Sequence, residues 1–116
     1  MADVEAQRKA AFELQDRMSD AHLRLRNLQS QQRMKERSLQ EAELVAEQIR
    51  PLPEDARVYR TVGRAYFLAP KGDVLDSLVG EAEKAKKELE SMKSLQEAAR
   101  NDFKEAETSM AALREG

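Results

Sequence analysis

The chain has 116 residues, 36% of them charged and only 4% aromatic, with a formal net charge of −2 and no cysteine. That length allows one small domain, and the scarcity of large apolar residues argues against a thick two-layer core. The absence of cysteine excludes disulfides, thiol nucleophiles and cysteine-ligated metals, and the interleaved charges make nucleic acid and anionic membrane poor partners.

The N-terminal stretch carries charges throughout, so it does not read as a signal peptide. No apolar run approaches the roughly 20 residues that span a bilayer. The first predicted helix covers about residues 4–50. Seam positions recur at Ala11, Leu14, Met18, Ala21, Leu25, Leu28, Gln32, Lys35, Leu39, Ala42, Ala46 and Ile49, in alternating steps of three and four. That spacing is the heptad rule of a coiled coil. Pro51 and Pro53 end the helix, because proline lacks the amide donor and restricts the residue before it.

A β-rich insert follows at residues 57–68, with two short strands expected at Val58–Val62 and Arg64–Leu68. Val62-Gly63 is a poor two-residue loop because valine resists positive φ, so a slightly longer turn around a left-handed Gly63 is expected. Asp73 is the expected cap of the second helix, with Asp76 three residues on.

The second helix, about residues 74–114, repeats the heptad at Leu75, Leu78, Ala82, Ala85, Leu89, Met92, Gln96, Ala99, Phe103, Ala106, Met110 and Leu113. The link is too short for a second domain, so the helices are expected to pair antiparallel within a single domain over residues 1–116. Opposed seam residues then sum to about 124, which sets Leu28 against Gln96. The fold class expected is mainly α: a two-helix coiled-coil hairpin carrying one central β-hairpin. Off the seam, Val45 and Val79 also sum to 124 and are expected to face each other, while Leu44 lies nearby.

A lone β-hairpin is marginal in water, and this one concentrates Tyr59, Tyr66 and Phe67. Unpaired edges and exposed aromatics invite association, so the insert is expected to complete a sheet or barrel with neighbouring chains. The candidate assembly residues are Val58, Tyr59, Val62, Gly63, Arg64, Tyr66, Phe67 and Leu68. At the opposite end of the helices, Phe12 lies off the seam beside Val4, Met110 and Leu113, and these four form a candidate apolar contact surface.

Tyr59, Val62-Gly63-Arg64 and Tyr66, set between two heptad helices, resemble the hairpin of β-type prefoldin subunits, with Tyr66 where phenylalanine is usual and Phe67 where an aliphatic is commoner. Arg8 to Gln15 resembles the start of the subunit 1 branch. The resemblance covers nearly the whole chain. It implies a cytoplasmic, ATP-independent co-chaperone built as a heterohexamer of α- and β-type subunits. Their hairpins would form β-barrels, and their coiled-coil tips would hold unfolded chains such as actin and tubulin for the cytosolic chaperonin. No cofactor is implied. An enzyme reading finds no support: the single histidine, His22, reads as a helix-surface residue, and no phosphate loop or metal spacing is present. The rival is a structural or tethering coiled coil, which would have no need of an aromatic hairpin.

Overall fold

The computed structural model describes residues 2–115. Helix α1 spans Ala2–Ile49, strands β1 and β2 span Val58–Val62 and Ala65–Ala69, and helix α2 spans Lys71–Glu115. The fold is mainly α, with one antiparallel two-stranded sheet between two long helices. By contact the chain divides into two compact units. A terminal unit holds the residues up to Gln32 and those from Glu90 onward, and a hairpin unit holds Arg33–Leu89.

α1 contains neither glycine nor proline, and Leu, Ala, Glu, Gln and Arg, all strong helix formers, dominate it. It stops where Pro51 and Pro53 remove the donors that would continue the ladder. The last turn is closed by bonds from the Arg50 amide to the Ala46 carbonyl and from the Leu52 amide to the Ile49 carbonyl, each 3.0 Å. α2 begins earlier than the Asp73 cap would allow. The Pro70 carbonyl accepts the Val74 amide at 3.2 Å, so Pro70 takes the cap position and Asp73 sits in the first turn. There its carboxylate favours the positive end of the helix dipole rather than closing the helix.

All twelve expected seam positions of each helix are buried or half-buried, so the heptad pattern marks the packed stripe along both helices. Most of the buried apolar side chains are alanines, Ala21, Ala99 and Ala106 in the terminal unit and Ala46 and Ala85 in the hairpin unit, where Ile49 and Val74 join them. Among the described residues no large side chain is fully buried. Alanines let the backbones approach closely but remove little apolar area, so the core is thin.

With Ala11 at heptad position a, the inter-helix ion pairs separate by flank. In the terminal unit Arg17 and Arg24, both at g, meet Asp102, also at g. In the hairpin unit Glu43 and Lys86, both at e, pair at 3.8 Å. This g-to-g and e-to-e arrangement follows from antiparallel pairing. It corrects the expected meeting of Val45 and Val79, because Val45 is at g and Val79 at e, on opposite flanks. The groove beside Val79 is lined from α1 by Ala42, Glu43, Ala46, Glu47 and Arg50, without Val45. A sum of residue numbers fixes the level along a helix pair but not the side.

Gly80 lies on the exposed face of α2, where an added Cβ would touch nothing within 4 Å. Gly80→Ala is expected to raise the unfolding free energy by about 0.5–1 kcal/mol, because alanine loses less backbone entropy in a helix. A denaturant titration followed by circular dichroism checks this.

Candidate assembly and client-binding surfaces

The hairpin turns tighter than its sequence suggests. Val62 pairs with Ala65, leaving Gly63 and Arg64 as a two-residue loop. Gly63 has φ +63°, and among the described residues no non-glycine residue has positive φ. Positive φ at the first central position alone matches a type II′ turn, whose twist suits a hairpin. Val62 therefore stays in its strand and avoids the strain that argued for a longer turn, and β2 starts one residue later than expected, at Ala65.

That register sorts the side chains. Tyr59 opposes Leu68 and Thr61 opposes Tyr66 on one face, while Arg60 opposes Phe67 and Val58 opposes Ala69 on the other. Arg60 ties the sheet to α2 through a 3.3 Å bond to the Ser77 hydroxyl and a 3.8 Å ion pair with Glu81. The apolar residues stay open: Tyr66 is 74% exposed, and Tyr59, Val62, Phe67 and Leu68 are all more than half exposed. With a two-residue loop, the closing pair Val62 and Ala65 exchanges both ladder bonds, and the pattern alternates from there. The amides and carbonyls of Tyr59, Thr61, Tyr66 and Leu68 therefore point outward along the two free edges.

Lys71 anchors the base of this element. Its ammonium donates to the carbonyls of Arg50 and Leu52, each at 2.7 Å, and so satisfies acceptors left open beyond the end of α1. Nothing in the local sequence marks this role, because the partners are backbone groups about twenty residues away across the insert.

The polar seam residues find one another. The Gln96 amide, only 5% exposed, donates to the Gln32 side-chain carbonyl at 2.6 Å. The expected level partner was Leu28. A seam side chain sits in a hole between neighbouring seam positions, and the amide turns to the one that can accept its hydrogen. In the hairpin unit Lys35 pairs with Glu88.

In the terminal unit Arg17 Nε donates to Asp102 at 2.9 Å, Arg24 reaches the same carboxylate at 2.8 Å, and Arg17 also meets Glu105 at 3.1 Å. The bond from Arg17 first, and that from Arg24 second, hold the Asp102 carboxyl below its ordinary range. The bond from Lys35 likewise lowers Glu88. The g-position charges were the sequence signal for this network.

Of the expected tip residues, Val4, Met110 and Leu113 come together with Ala11 in a cleft of about 370 Å³. Phe12 does not line it and stands 68% exposed beside it. His22 is exposed, with its ring 6.4 Å from that of Phe103.

The sequence model of the family described as "Prefoldin subunit" (Prefoldin_2) matches residues 13–115. The chain belongs to the prefoldin subunit family. Prefoldin subunit 1 of Arabidopsis thaliana is 40% identical over 90 residues, a stretch that covers 78% of this chain and 66%, just under two thirds, of that protein. The crystal structure of the prefoldin beta subunit from Thermococcus strain KS-1 superposes with a TM-score of 0.78 at 23% identity, over 90% of this chain and 92% of that one. The two long helices joined by a single hairpin are thus the prefoldin beta fold.

Acid is expected to loosen the helix pairing. Asp102 and Glu88 have lowered pKa values when folded, so their contribution is complete above the unfolded carboxylate range, about pH 4, and is lost as pH falls through the lowered values. Asp102→Asn should lower the thermal midpoint at neutral pH and match the parent far below about pH 4. Thermal melts across pH check both arms of that prediction.

Proposed function

We propose that the chain is a β-type subunit of a heterohexameric, ATP-independent prefoldin that works in the cytoplasm. It holds unfolded polypeptides, with actin and tubulin as the expected clients, and passes them to the cytosolic chaperonin. The observation that carries this reading is the uncovered hairpin, whose apolar residues are exposed on both faces and whose two edges are free. Neighbouring subunits would pair those edges and cover Tyr59, Tyr66, Phe67 and Leu68, extending the sheet into a barrel. Val58, Val62, Gly63 and Arg64 would hold the turn and strand ends in that arrangement. The prefoldin family membership and the beta fold support the same reading.

In the terminal unit, the cleft of Val4, Met110 and Leu113, with Phe12 beside it, would take apolar side chains of the client. One such contact is weak. Several arms acting on one chain reach useful affinity through high effective concentration, and each can still let go without nucleotide hydrolysis.

Tyr66→Asp tests the reading, because a carboxylate on a covered aromatic position must be desolvated. Mixed with α- and β-type partner subunits, the parent should form a hexamer by native mass. The variant should weaken assembly about 30-fold or more, the effect of losing a contact worth about 2 kcal/mol, with helix content unchanged. A hexamer that forms equally well with the variant, or a parent that forms only a stable homodimer, contradicts the proposal.

A further inference from the structure

The two flanks of the terminal unit are built differently. The g flank is closed by ion pairs, with Arg17 and Arg24 both engaged by Asp102. The e flank is open. A groove of about 360 Å³ there has an apolar floor of Ala21, Leu25 and Phe103. Its volume sits at the low end of the roughly 300–1,000 Å³ typical of ligand sites. The groove exists because Ala21 leaves space between the larger Leu25 and Phe103. Its rim carries His22, Arg100, Lys104 and one acid, Glu107. Among the described residues neither Arg100 nor Lys104 has an ion-pair partner.

The tip cleft opens on the same flank. Its rim includes Arg8 and Arg114, both at e positions and likewise without ion pairs among the described residues. Two apolar hollows with a cationic rim therefore follow one another along one side of one unit. From Phe103 to Leu113 on α2, or from Leu25 to Ala11 on α1, the separation is about 15–20 Å at about 1.5 Å per residue. About five or six residues of extended chain, at about 3.3 Å each, cover that distance.

We propose that the e flank of the terminal unit is a two-point site for an extended polypeptide segment bearing two bulky apolar side chains flanked by carboxylates. One side chain enters the tip cleft and the other enters the Phe103 groove. The carboxylates pair with Arg100 and Lys104, a choice set by charge complementarity: on the open rim the free cations outnumber the single Glu107. The inference rests on the holdase reading and narrows it to a class of client segment and to one side of the arm.

The test uses the whole 116-residue chain and two labelled synthetic peptides, each with two phenylalanines about five residues apart. One peptide has aspartates beside each phenylalanine, and the other has lysines. The parent should bind the aspartate peptide about fivefold to tenfold more tightly, in line with two exposed ion pairs gained rather than opposed, and salt should erode the preference. Arg100→Glu combined with Lys104→Glu changes only exposed side chains and should reverse the preference. Equal binding of both peptides to the parent, or a preference that survives the charge reversal, overturns the inference. Suppression of client aggregation by the hexamer assembled with partner subunits, measured alongside, separates the two levels. If suppression persists while the peptides are not distinguished, only the two-point site fails. If that hexamer suppresses nothing, the holdase reading fails with it.

Discussion

Half of the ladder groups in a two-stranded sheet have no partner within the sheet. In this chain those groups belong to Tyr59, Thr61, Tyr66 and Leu68, whose side chains also share one face. The backbone demand for hydrogen bonds and the apolar demand for cover therefore fall on the same residues. No further strand is present among the described residues to meet either demand. In the proposed assembly a neighbouring strand meets the backbone demand and its side chains help cover the face, which is why the hairpin carries the functional reading.

The helices answer a different constraint. Their seams are thin, with alanine at many of the most buried positions and, among the described residues, no large side chain fully enclosed. Specificity then comes from polar pairs. Gln32 with Gln96 and Lys35 with Glu88 occupy or adjoin seam positions where a shifted register would leave a polar group without a partner. Ion pairs on the g flank reinforce the same alignment in the terminal unit. Closing one flank of the terminal unit by charge leaves the other for apolar hollows, the side that the proposed function gives to the client.

Much of this was legible in the residues. A strict three-four alternation has one helical solution, so every seam position from Ala11 to Ile49 and from Leu75 to Leu113 is packed as expected. The hairpin was legible from its β-branched and aromatic residues between proline and glycine signals. Its loop was not, because valine's resistance to positive φ bears on a turn centred at Val62, whereas the turn begins at Gly63 and uses Arg64. The capping role given to Asp73 fell to Pro70, whose carbonyl accepts the first helical bond although proline offers no capping side chain. Lys71 and the Phe103 groove needed three-dimensional placement: one acts on carbonyls across the insert, and the other arises from a gap beside Ala21.

Amide hydrogen exchange at Tyr59, Thr61, Tyr66 and Leu68 interrogates the outward edges directly. In the lone chain these four amides should exchange at near-unprotected rates, and on mixing with partner prefoldin subunits they should become protected as the edges are paired. Protection already present in the lone chain, or fast exchange persisting within a formed complex, would contradict the claim that other chains complete this sheet.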